Sequence, residues 1–320
     1  MLAQMSCEKI QKIFEKEEIR VDFLGASATE GESLEESSEA YPFLWTEKIG
    51  KQFPSKRFMT RNLAQSGTFA SHGLFVAEEL VKKHETDIVF LEYALNDEIT
   101  PFSVDIYESL VRKLLGYSAT VVISIVLPIR NMEKEYDYMI EIARQYRLPW
   151  LDIGTTLRQE IDKGVMQWED YAQDDTHPNR QGHIWIAEKI LELFQAMLSF
   201  STKKEVDWSL AETCYFKNTY EHLQVKMLAE THSFPMEFTV ECSNFWILYR
   251  KHYDDRCGTL QVFLDQNVLL HLHGYSMFCW DYYFPEKIWQ GSKEEEHTFR
   301  LKMLPQDENK EFRIKAVGWC

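Results

Sequence analysis

Up to about residue 200 the chain alternates short apolar runs with longer stretches whose apolar residues recur at helical spacing. The runs "IRVDFLG" (19–25), "DIVFLEYAL" (87–95), "TVVISIVLP" (120–128) and "PWLDIG" (149–154) read as strands, with "RFMTRNLA" (57–64) as a weaker fifth. Between and after them, "FASHGLFVAEELVKKH", "VDIYESLVRKLLGY", "EKEYDYMIEIARQY" and "NRQGHIWIAEKILELF" carry apolar residues along one helical face. This alternation predicts β-α-β units and a parallel sheet covered on both faces. In such sheets ligands bind outside the carboxyl ends of the strands, so residues just after each strand are the place to look for chemistry.

Beyond residue 200 the period changes. "FTVECSNFWILYR", "GTLQVFLDQNVLLHLHG" and "EFRIKAVGWC" alternate with period two and are rich in aromatic residues, and "LDQNV" (264–268) has the form of a hairpin turn. Residues 205–320 therefore read as a β-sandwich, with the boundary in "SFSTKKEVDW" (199–208). The acidic run "KEEEH" (293–297) reads as a solvated turn.

A chain of 320 residues is long enough for two such domains. The net charge of −16 argues against nucleic acid and anionic lipid as partners, since both reward basic patches, and favours a neutral small-molecule or oligosaccharide substrate. No apolar run approaches the ~20 residues that span a bilayer. The N-terminal segment is charged and amphipathic, without the apolar stretch of a secretion signal. The six cysteines are scattered with no CxxC pair, which favours reduced thiols in a cytoplasm over a zinc site or a disulfide framework.

Each strand end carries a polar residue with two readings. "GASATEG" after the first strand puts Ser27 at the tip of a turn, and no phosphate-loop glycine pattern accompanies it. "NLAQSG" after the second offers Gly67 as a backbone donor or as a plain turn glycine. "ALND" after the third offers Asn96 as a side-chain donor or as a helix cap. "DDTHPNRQGH" places Asp174 three residues before His177, either to start the following helix or to orient the imidazole, with Asp175 a rival for that role. Pro178 restricts His177 to extended backbone, and His183, inside the helix, reads as structural.

Taken in order, Ser27, Gly67, Asn96 and His177 resemble the four signature blocks of the SGNH (GDSL-like) hydrolase superfamily, over roughly residues 19–197. Two positions depart from the usual blocks: Ala26 stands where G-D-S carries aspartate, and Ala94 where G-x-N-D carries glycine. The resemblance implies a flavodoxin-like three-layer α/β/α domain over 1–200, followed by a jelly-roll-like β-sandwich. It implies a serine esterase with a Ser27–His177–Asp174 triad and an oxyanion hole of the Ser27 and Gly67 N–H groups and the Asn96 amide, needing no cofactor or metal.

Two-domain members of this kind include carbohydrate acetyl esterases, and "FCWDYYFPEKIWQG" (278–291) offers Trp280, Tyr282, Tyr283 and Trp289 as sugar-stacking faces or, equally, as core. The competing expectations are a lipid or thioester hydrolase of the same fold, a metal-dependent hydrolase using Asp174, His177, His183 and His72, and a non-catalytic carbohydrate-binding protein.

Overall fold

The computed structural model describes residues 4–97, 101–117, 121–130, 137–199, 220–228, 233–277 and 280–320. The chain divides into two compact units, Met1–Thr219 and Tyr220–Cys320. The boundary expected at 199–208 falls, apart from Ser199, outside the described residues.

The first unit contains β1 (Glu18–Gly25), β2 (Arg57–Asn62), β3 (Ile88–Glu92), β4 (Val121–Val126) and β5 (Trp150–Asp152). They form one sheet in the order β2-β1-β3-β4-β5, every pair parallel, which is the flavodoxin-like order. Every residue of β3 and β4 is buried, as a parallel strand covered on both faces requires.

The helices are α1 (Gln4–Ile13), the single turn α2 (Ser27–Glu30), α3 (Tyr41–Gln52), α4 (Ala70–Val76), α5 (Pro101–Leu115), α6 (Asp137–Gln145), α7 (Ile153–Asp162), the single turn α8 (Trp168–Tyr171) and α9 (Arg180–Ser199). A π-helical segment, Ala77–Lys82, continues α4. Among the described residues none of these helices is long and apolar enough to cross a membrane.

The apolar stripes meet the sheet in a core where Phe23 stacks on Phe90 at 4.3 Å, Trp45 closes over both rings and Phe194 packs on Phe90 and Trp45. Each such aromatic buries 150–250 Å² by general estimate, at about 25 cal/mol per Å². That core fixes the strand ends. With β1 between β2 and β3, the connections leaving all three converge at the point where the strand order reverses.

The second unit is antiparallel: β6 (Gln224–Met227), β7 (Met236–His252), β8 (Thr259–Leu264), β9 (Asn267–His273), β10 (Trp280–Met303) and β11 (Ile314–Trp319). Its described strands form one ladder, β6-β11-β7-β10-β8-β9, rather than two separately bonded sheets. The long pair β7/β10 is the spine, and β8 joins β10 at one end while β11 joins β7 at the other. Register shifts between Lys287 and Trp289 and between Gln290 and Glu295 are the bulges by which long strands bend.

The predicted hairpin is present, with Asp265 at φ 54 between β8 and β9. In the "KEEEH" run residues 293–296 are exposed and His297 is half-buried, and the run is not a turn: Glu295, Glu296 and His297 pair with Cys242, Glu241 and Val240. A run of like charges there keeps its side chains in water while the backbone stays bonded. Pro285 lies where β10 has β7 as its neighbour and β8 has not yet joined, so its missing N–H breaks no bond on that side.

Candidate active site

The site is assembled at the carboxyl ends of β1, β2 and β3 and completed by the loop before α9. β1 ends at Gly25, where a side chain is excluded: a Cβ there would stand 2.7 Å from the Glu92 carbonyl oxygen. Ala26 is extended and Ser27 opens α2, with the Thr29 and Glu30 N–H groups returning to the Ala26 carbonyl. As the first residue of that turn, Ser27 has an N–H with no intrahelical acceptor.

The second loop is tied to the first. Gln65 N–H donates to the Gly25 carbonyl at 3.1 Å, and the Ser66 N–H donates to Glu30 Oε2 at 2.6 Å. Gly67 follows at φ 70, a left-handed conformation that a side chain strains. Asn96 sits in the turn after β3, its N–H donating to the Tyr93 carbonyl at 3.2 Å. Because β2 and β3 flank β1, Gly67 and Asn96 leave the sheet on either side of Ser27.

The fourth loop brings His177. Ser27 Oγ lies 2.9 Å from His177 Nε2, across 150 residues of chain. His177 Nδ1 lies 2.8 Å from Asp174 Oδ2. A carboxylate oxygen can only accept there, so Nδ1 carries the proton and Nε2 presents a lone pair to the serine hydroxyl. The Ser27 residue is 6% exposed and the His177 side chain 27%, so the hydroxyl is shielded and the ring reaches solvent.

Asp174 does not cap α9. That position belongs to Asn179, whose Oδ1 accepts from Gly182 N–H at 3.0 Å. Asp174 Oδ1 instead accepts the His177 N–H at 2.6 Å and the Thr176 N–H at 2.8 Å, closing the loop on itself. Burial works to raise the Asp174 pKa and is outweighed by these two N–H groups and the His177 ring, which hold it down at about 2. Asp175, the rival orienter, contributes its carbonyl to the Arg130 N–H at 2.8 Å.

Residues that sequence reasoning passed over hold this loop. Trp168 Nε1–H donates to the Asp174 carbonyl at 2.8 Å, and Arg130 lies over the Trp168 ring at 5.9 Å. Ser33 donates to the Pro178 carbonyl and so links the serine and histidine loops. Asn179 Nδ2 donates to the Glu169 carbonyl. The pattern signal for Trp168 was an aromatic residue six positions before the acid; nothing marked Ser33.

His183 is fully buried, with Nδ1 accepting the Tyr41 N–H at 3.2 Å, and burial lowers its pKa to about 4. Among the described residues Asp174, His177, His183 and His72 form no common metal-ligand set.

In the second unit, the partly buried Trp289 packs on the core, edge-on to His297 at 4.4 Å and to Phe299 at 6.0 Å. Tyr282 and Tyr283 are half-buried on β10, with Lys315 over the Tyr283 ring at 5.1 Å. Trp280 begins the strand, its side chain outside the described set, as are Phe278 and Cys279.

No known family model and no curated protein sequence matches the chain. Solved structures do. The crystal structure of a two-domain esterase active on acetylated mannans matches 100% of this chain and 95% of its own, at 22% identity and a TM-score of 0.84. A two-domain esterase active on acetylated mannans, co-crystallised with mannopentaose, matches 99% of this chain and 93% of its own, at 21% identity and a TM-score of 0.82. A catalytic mutant of an acetylxylan esterase from Geobacillus stearothermophilus matches 55% of this chain and 94% of its own, at 16% identity and TM-score 0.47. Over its whole length, then, the chain has the fold of a two-domain esterase.

Proposed function

We propose that this protein is a serine esterase that removes acyl groups, O-acetyl above all, from carbohydrates. The observation that carries the reading is the Ser27 Oγ–His177 Nε2–Asp174 relay, at 2.9 Å and 2.8 Å, at the switch point of the sheet.

In this scheme neutral His177 takes the Ser27 proton as Oγ attacks the ester carbonyl carbon. Asp174 holds the ring in the required tautomer and stabilises the imidazolium. The developing oxyanion is met by the Ser27 and Gly67 N–H groups and the Asn96 amide. Collapse expels the sugar hydroxyl, which receives the proton from His177, and leaves an acetyl ester on Ser27. Water then attacks that ester with His177 again as base, releasing acetate and the free serine.

The carbohydrate assignment is supported by the shared two-domain architecture with an esterase active on acetylated mannans, and by an acidic chain that suits a neutral substrate. The test is acetate release from a panel of acetylated oligosaccharides, acetylated mannans included, with Ser27→Ala as the blank. Release that is abolished in Ser27→Ala is the expected result. No release from any member, or equal release by Ser27→Ala, overturns the proposal. Aryl octanoate cleaved faster than aryl acetate would move the assignment to a lipid or thioester hydrolase of the same fold.

A further inference from the structure

We propose that Glu92 is a positioning residue of this esterase: its buried carboxyl at the end of β3 ties the turn that carries Ser27 to the turn that carries Asn96. The inference rests on the esterase reading above and adds to it a group that does not touch the substrate.

Glu92 pairs with Gly25 in the register of β3 against β1 and is 1% exposed. A carboxyl in such a place is costly to bury unless polar partners surround it. Its one hydrogen bond comes from the turn that carries Ser27, to Oε2, and Oε1 is buried with no hydrogen-bond partner. Thr29 Oγ1–H donates to Glu92 Oε2 at 3.0 Å, and the N–H groups of Leu95, Ala94 and Ala26 are turned toward the carboxylate and favour its charged form.

Ala26 and Thr29 bracket Ser27 in the chain, while Ala94 and Leu95 lead directly into Asn96. From the last residue of β3, one carboxyl group thus holds the Ser27 turn by a hydrogen bond and stands at the root of the turn that carries Asn96. Ala26 brings no acid of its own to this turn, although the blocks it resembles carry aspartate there.

The network extends outward. Thr29 spends its proton on Glu92, so the Tyr41 hydroxyl, 2.8 Å away, donates to Thr29 Oγ1. Asn62 Nδ2–H donates to the Thr29 carbonyl at 2.7 Å and anchors the same turn to the end of β2. Burial pushes the Glu92 carboxyl up to about 7 against the pull of Thr29 and the three N–H groups. The titratable groups coupled to it are Tyr41 of α3, Tyr171 of α8, Tyr107 of α5, and Tyr93 and Asp97 of its own turn.

Protonated on Oε1, Glu92 still accepts the Thr29 hydroxyl proton at Oε2. A glutamine reproduces that arrangement; a methionine of similar length supplies no acceptor.

The test is steady-state hydrolysis of an aryl acetate by the full chain, with Ser27→Ala alongside. Glu92→Met lowers kcat by about 10²-fold, the scale of an ångström-sized misplacement of catalytic groups, and leaves KM within about threefold. Glu92→Gln recovers at least about tenfold of that loss, since it keeps the acceptor. Wild-type kcat in Glu92→Met, a loss confined to KM, or a glutamine variant as slow as the methionine variant overturns the proposal.

If Glu92→Met does not fold, the amide resonances of the unaltered protein decide. Ala26, Ala94 and Leu95 N–H shifts move together with a midpoint near 7 and lose that movement in Glu92→Gln. The absence of a shared titration overturns the tie. An inactive wild-type protein, or one whose Ser27→Ala variant is equally active, refutes the esterase reading instead, and the amide titration still tests the tie.

Discussion

Asp174→Asn separates the two tasks that the structure gives this carboxylate. Oδ1 accepts the His177 and Thr176 N–H groups, while Oδ2 accepts the proton on His177 Nδ1. In asparagine one oxygen must serve the two backbone donors, which leaves the NH2 group facing Nδ1. Two donors cannot share that bond, so the imidazole moves its proton to Nε2, the nitrogen 2.9 Å from Ser27 Oγ.

The base is then blocked while the loop keeps its shape. The expected loss in kcat is up to about 10⁴, the general scale for a wrong-tautomer triad, equivalent to about 5 kcal/mol of transition-state stabilisation. The cost in fold stability is far smaller. The Asp174 side chain is 47% exposed, so its depressed pKa counts for no more than about 1 kcal/mol after solvent screening. The assay is kcat on an aryl acetate together with Tm. An Asp174→Asn enzyme within about tenfold of wild-type turnover would refute the relay as drawn.

Two further predictions follow from the pocket and its floor. Asn96→Ala lowers kcat by about 10²–10³ with little change in KM, as for loss of one oxyanion donor; an unchanged kcat removes Asn96 from that role. Stability is linked to pH through buried groups. Burial raises Glu92 from 4.5 to about 7 and Asp97 from 3.8 to about 8, so both favour folding while protonated and lose that contribution as pH rises through those values. His183 is lowered from 6.5 to about 4, so its contribution is present above 6.5 and lost as pH falls. Between about pH 6.5 and 8.5 only the carboxyl effect operates among these three, and Tm falls with rising pH. Asp97→Asn, which imitates the protonated acid, flattens that slope; a Tm that is level or rising in the wild type over this range contradicts the assignment.

The sequence and the structure agree where one physical signal dominates. The central parallel strands were legible because a strand buried on both faces must be nearly all apolar, as β3 and β4 are, whereas the partly exposed β2 gave the weaker signal. The meeting of Ser27, His177 and Asp174 was legible because each follows a strand, and the sheet's switch point gathers strand ends. α3 was missed, since "YPFLWTEKIGKQ" opens with a proline in its first turn and has only four buried residues.

The role of Asp174 stayed open in the sequence because aspartate suits both a cap and an orienter, and the cap is Asn179, one of several polar residues in the same loop. Glu92 was hidden inside "FLEYAL", where a single acid in a buried run carries no hint of the Thr29 hydroxyl that meets it. In the second unit, alternation identified strands but not their pairing. The bulges that make β10 a 24-residue strand leave no mark in a period-two pattern.

The most direct test of the account is mass spectrometry of the protein after treatment with a fluorophosphonate. One adduct is expected, mapped to the peptide bearing Ser27, absent in Ser27→Ala and formed much more slowly in His177→Ala. A protein that stays unmodified, or that carries its adduct on another residue, contradicts the claim that Ser27 is a nucleophile activated by His177.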